Sequence, residues 1–233
     1  DLIEPLIDFG VDAINPLHLP LEVGDIFRKT QGTKTFMLLG QPCSLTVRGE
    51  DGKRSGTAGW GVLVEVAQGE VRDPQQCYRL KPPFDDVFKD HCFLRFNTAR
   101  MVKLCVLDLC VFKPDGVANL DLEAACPDLV LPGWRKRFDA VQAEVKALAS
   151  QYSMLRDQGC PDQIAKRSIK RELLLMTGGL FASSFSFDGE AKSISFSIKR
   201  VGRLARPWAV DALTKYAHAI SRAAFDMDYG GRN

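Results

Sequence analysis

The sequence is poor in the residues that carry acid–base and metal chemistry. Only three histidines, His18, His91 and His218, occur in 233 residues, and none stands near another. There is no Cys-x-x-Cys, and His91-Cys92 is the single His/Cys neighbour pair. A zinc site needs close ligand pairs, so neither a metal nor a cofactor is expected. No apolar run approaches the roughly 18 residues that span a bilayer, and a membrane partner is not expected. No internal repeat and no low-complexity segment interrupts the chain. The seven cysteines, at 43, 77, 92, 105, 110, 126 and 160, are odd in number and irregular in spacing. Several sit inside apolar runs such as Leu104–Leu107 and Leu109–Phe112, as reduced, buried thiols do. The expectation is a cytoplasmic protein. The first residue is Asp1, so a processed chain, or a piece of a longer one with a covalently linked partner domain, is expected.

What is present is an ordinary globular composition, 45% hydrophobic and 26% charged. The net charge of +2 hides an asymmetry. Residues 1–130 hold 14 Lys and Arg against 19 Asp and Glu, whereas residues 131–233 hold 17 against 10. The two portions either attract each other, or the second meets an anionic partner.

The hydrophobic period changes at the same place. Residues 1–20 read as an arm and an extended linker, because residues before proline avoid the helical region and Pro16 and Pro20 lie in it. Strands are expected at Asp25–Lys29, Lys34–Gly40, Leu45–Arg48, Gly61–Ala67, Cys77–Lys81, Cys92–Phe96 and Met101–Phe112, joined by turns at Gly32, Gly52 and Pro114–Gly116. Phe36–Leu39 has no polar alternation, which marks a strand buried on both faces. Residues 21–130 are therefore expected to form an antiparallel β-barrel or sandwich, and the fold class is α+β.

Beyond Pro132 the pattern is helical. Trp134, Phe138, Val141, Val145, Leu148, Tyr152 and Leu155 form a heptad-like stripe that serves either a core or a homodimer seam through 134–155. Pro161 opens a second helix to about Met176 and Pro207 opens a third, to about Phe225, with Leu213, Tyr216 and Ile220 inside. Between them Phe181–Phe187 and Ser193–Lys199 alternate as a hairpin. Residues 131–233 are thus read as a basic, mainly helical subdomain with one hairpin, 181–199.

The leading candidate site is Lys199, Arg200, Arg203 and Arg206, four cations in eight residues placed in a loop feeding a helix N-terminus. Lys166, Arg167, Lys170 and Arg171 on the second helix extend this anion- or nucleic-acid-binding surface. The competing reading pairs these cations with acids of the same chain. Cys43, at a strand-to-turn corner, lacks a local base to make it a nucleophile. Asp115, Asp121 and Glu123 echo the acidic part of a PD-(D/E)xK nuclease pattern, but Ala125 occupies the lysine position. Asp226 and Asp228 are expected to cap or pair with arginines such as Arg222. No catalytic set converges.

Gly24-Asp25-Ile26-Phe27, followed by a turn and the buried strand Phe36–Leu39, resembles the opening of the SH3-like barrels of MazF-type toxins. The resemblance covers about a tenth of the chain. It implies an SH3-like barrel for the first portion and ribonuclease activity on it, with Arg48 and Arg54 as the residues to mutate. The Arg-Pro that such proteins carry before the second strand is replaced here by Thr33-Lys34-Thr35. The function expected first is a non-catalytic interaction module of a longer regulatory or stress/defence protein, with a protein or other anionic partner. Nucleic-acid binding through 131–233 is the alternative, and a MazF-like ribonuclease the third.

Overall fold

The computed structural model describes residues 7–9, 11–48, 51–54, 59–69, 73, 75–80, 92–188 and 192–229, with side chains for all of these but 7–9, 11, 12 and 223–229. The Gly56 loop tip, Pro82–Asp90, His91 and the side chains of Asp226 and Asp228 lie outside the described residues.

The fold is α+β. The strands are β1 (Ile7–Phe9), β2 (Asp25–Lys29), β3 (Thr35–Leu39), β4 (Trp60–Gln68), β5 (Cys77–Arg79), β6 (Cys92–Lys103), β7 (Val117–Asp121), β8 (Ser183–Ser186) and β9 (Ser193–Leu204). The helices are α1 (Val11–Ile14), α2 (Pro42–Leu45), α3 (Leu104–Asp108), α4 (Pro132–Asp157), α5 (Asp162–Met176) and α6 (Arg206–Tyr229). All strand pairs are antiparallel, in the order β1-β9-β2-β3-β4-β6-β5, with β7 and β8 also on β9.

This path does not close, so the expected barrel is corrected to an open sheet. The reason lies in β9. Its first residues are flanked by β8 and β7, and its last by β2 and β1. Both of its sides are thus occupied, while β5 pairs with β6 alone at the far end, as an edge strand. β9 comes from the cationic C-terminal portion, and it is hydrogen-bonded to β2 of the acidic one. The sheet therefore crosses the compositional boundary at 130. One core does likewise, joining Phe27, Met37 and Leu63 to Phe138, Ile169 and Ile198.

Two stretches read as strands are helical. Pro42 presets φ for a first helical turn, so Pro42–Leu45 is α2, and Val47↔Arg54 is an isolated bridge where a third meander strand was expected. β6 runs from Cys92 to Lys103, with a shift of its register on β4 between Arg95 and Arg100, and the chain then turns into α3. The Leu104–Phe112 run is buried all round, and periodicity alone does not separate a buried strand from a buried helix.

The helical stripe of α4 faces inward. Trp134, Phe138, Val141, Val145 and Tyr152 are buried, and Phe112 packs on Phe138 at 5.0 Å and on Trp134 at 5.8 Å. These side chains are thus unavailable as a seam for homodimerisation through 134–155. Gly159 ends α4 at φ +80°, and α5 starts just beyond Pro161. Among the described residues of α6, Ala209, Ala212 and Ala219 are buried and Leu213 and Tyr216 pack half-buried on the core, whereas Ile220 is exposed rather than inside.

Candidate anion-binding cleft

The cation-rich stretch that the sequence places in a loop is the end of β9. Between Ile26 and Phe27 of β2, the partner register on β9 skips from Gly202 to Arg200. That extra residue is a β-bulge. It flips the alternation, so Arg200 and Arg203, three apart, reach the same carboxylate. Arg203 Nε donates to Asp25 Oδ1 at 2.6 Å, and Arg200 Nη1 stands 3.5 Å from Asp25 Oδ2. Arg203 also donates to the Pro20 carbonyl and faces Glu22 at 3.3 Å. Arg200 donates to Asn15 Oδ1 and to the carbonyls of Leu19 and Ile14. Arg200, Arg203 and Asp25 are all buried. Burial lowers the Arg200 pKa despite Asp25 beside it. Two of the four leading candidates therefore staple the 14–25 segment to β9 and are buried there. Lys199 is half-buried in β9, opposite Arg28 and Val117. Arg206 is exposed at the start of α6.

The second cluster is also divided. Lys166 bridges Asp162 and Asp188 at 2.9 and 3.1 Å, and the Tyr152 hydroxyl lies 2.6 and 2.5 Å from the same two carboxyls. These contacts raise the tyrosine pKa and lower those of both aspartates. The group ties α4, α5 and the turn after β8 together. Arg167, Lys170 and Arg171 remain exposed on α5. Asp115 and Asp121 accept the backbone N–H groups of Val117 and Glu123, the work of turn residues. Among the described residues no three His, Cys, Asp or Glu side chains gather around a possible metal position. Cys43 is exposed on α2, with its thiol 3.7 Å from Gln41 Oε1.

A cationic site does exist, at a place the sequence reading touched only through Arg54. Asp108, at the end of α3, is fully buried. Arg54 grips it with both terminal nitrogens, at 2.8 and 2.5 Å, and Arg137 Nε donates to it at 2.7 Å. Arg54 Nε is held by the Leu45 carbonyl, and its guanidinium lies 5.7 Å from the Trp134 ring centroid. Burial works to raise the Asp108 pKa, but the two guanidiniums outweigh it and hold the carboxyl below the usual range. Burial works to lower the Arg137 pKa, and Asp108 overrides it upward.

The turn that carries Arg54 needs a glycine. Gly52 has φ +68°, and a Cβ there would come within 2.5 Å of the Lys136 carbonyl carbon and 2.6 Å of the Arg137 nitrogen. The turn thus lies directly on the α4 backbone. On the other side, Trp60 of β4 pairs with Lys103 of β6. Together they bound a cleft of about 510 Å³, lined by Lys53, Arg54, Gly59, Trp60, Lys103, Cys105, Arg137 and Glu144. Four cations face two carboxylates, Glu144 and the buried Asp108. Arg137 lines the cleft, where its Nη1 forms an ion pair with Glu144 Oε1 at 3.8 Å. Trp60 is 40% exposed at its mouth.

Chemically the cleft can hold an anion. It offers no nucleophile: burial pushes the Cys105 thiol far up, and Glu144 and Asp108 push it further. Burial likewise raises the Cys110 thiol to about 12. Arg48, the other residue named with Arg54, is exposed and does not line the cleft. The signal for the site was a lone acid, Asp108, inside the apolar run Leu104–Phe112, since such an acid requires a buried cation. No helix among the described residues is long and apolar enough to cross a membrane. No protein-family model, no curated protein sequence and no solved structure matches this chain.

Proposed function

We propose that the protein is a non-catalytic interaction module that holds an anionic group of a partner in the cleft above Asp108. The observation that carries this reading is the Arg137 guanidinium. Asp108 fixes it through Nε, and, beside its ion-pair partner Glu144, it lines a cleft also lined by Lys53 and Lys103. A fork held in place before the ligand arrives loses little freedom on binding. The partner is a protein or other macromolecule that presents phosphate or clustered carboxylate. The ribonuclease reading rests on the MazF-type resemblance alone, because Arg54 is engaged by Asp108.

Anisotropy of fluorescein-labelled inorganic polyphosphate tests the reading at about 50 and 200 mM salt. The expected result is binding that weakens steeply with salt, and that Lys103→Glu weakens by about tenfold or more. Absence of binding at the lower salt, or equal affinity in Lys103→Glu, overturns it. A second reading, nucleic-acid binding, is favoured by Arg167, Lys170 and Arg171, which stand exposed on one side of α5 with no ion pair among the described residues. It requires that Arg167→Glu/Arg171→Glu weaken the binding of a single-stranded oligonucleotide while polyphosphate affinity stays unchanged.

A further inference from the structure

A second cavity, of about 330 Å³, is lined in part by Trp134, the ring that Arg54 lies over. Its walls come from four separated segments: the 20–23 stretch before β2, the α2–Val47 stretch, residues 131–134 at the start of α4, and Arg206 at the start of α6. The lining is chiefly apolar, with Leu21, Val23, Leu45, Val47 and Trp134 among it. Its volume falls at the small end of ligand pockets, and an apolar body with few polar groups is the usual composition of such sites.

Two charged residues reach it, and they are not equivalent. Glu22 is paired with Arg203 at 3.3 Å. Arg206 is exposed and has no ion pair among the described residues. The cavity therefore combines an apolar interior with one cation available at its rim. We propose that it binds a small apolar carboxylic acid, with the hydrocarbon part against the leucine, valine and tryptophan walls and the carboxylate on Arg206. The proposal is independent of the anion cleft, because the two sites share no lining residue.

Calorimetric titration of the whole chain with hexanoate and with hexanamide tests it. The two probes match in shape and differ in charge. The expected result is that hexanoate binds about tenfold tighter than hexanamide, as a charge-assisted hydrogen bond to arginine predicts. Arg206→Gln should bring the two affinities together. Thr46→Trp, at an exposed position on the rim, should abolish binding of both, and circular dichroism confirms its fold. Equal affinity of the two probes in the native protein overturns the proposal. So does an advantage of hexanoate that survives Arg206→Gln, undiminished binding in Thr46→Trp, or no heat from either probe at about 10 mM, well above the millimolar affinity expected of so small a ligand.

Discussion

The molecule contains the same motif twice, an aspartate gripped by two arginines, with opposite consequences. Around Asp25, both guanidiniums are turned inward and nearly every polar atom meets a backbone carbonyl or a side chain of the 14–25 segment. Around Asp108, one arginine is equally engaged, while the other lines an open cleft beside Glu144 and two lysines. The charges are alike in number and kind. What separates a staple from a binding site is which face of the pair the chain covers. Asn15, Leu19 and Pro20 cover the first, whereas the second lines the cleft beside Glu144.

Substitutions can break this contrast. Asp25→Asn should have the largest effect, because it leaves buried Arg200 without a carboxylate and Arg203 with only the half-exposed Glu22, a loss of about 3–5 kcal/mol. The urea midpoint reads it, and added phosphate should not restore it. Asp108→Asn should cost less, about 1–3 kcal/mol, since water and anions reach the cleft. Phosphate should return part of that loss. Equal phosphate rescue of both variants would erase the distinction between the two aspartates.

Gly52→Ala sharpens the contrast from the backbone side. The new methyl meets the α4 backbone and the position is left-handed, so destabilisation of about 1–3 kcal/mol is expected, together with weaker polyphosphate binding as Arg54 and Lys53 shift. A variant as stable as the native protein would show that the turn does not rest on α4. The smallest effect is on pH dependence. Asp108 has a lowered folded pKa, so its contribution is fully present above the unfolded value of about 3.9 and disappears as pH falls through the folded one. The gap in urea midpoint between native protein and Asp108→Asn should therefore be constant near neutrality and close in acid, where a neutral carboxyl and an amide are alike. A gap that widens as the pH falls below the unfolded value contradicts the assignment.

These two sites also show what can be read from the chain. The alternation of 60–68 and 193–199, the buried Phe36–Leu39 run and the heptad spacing from Trp134 are local signals, and the elements formed there. The fate of the arginines is not local. Arg203 and Asp25 are 178 residues apart in sequence, and Arg54 and Asp108 are 54 apart. A cation-rich stretch looks solvated until a distant acid is known to face it. The bulge near Val201 compounds this, because simple alternation puts Arg200 and Arg203 on opposite faces. The signals that pointed inward were charges beside apolar residues: Asp108 within Leu104–Phe112, and Asp25 directly before the buried pair Ile26-Phe27. Each sits where an unpaired charge would be costly, and each was matched by two cations.

The most direct measurement is the NMR signal of the arginine Nε–H groups as polyphosphate is added. The account predicts that the Arg137 resonance shifts in a saturable way while those of Arg200 and Arg203 stay still and remain protected from solvent exchange. Movement of the Arg200 and Arg203 signals with no change at Arg137 would contradict it.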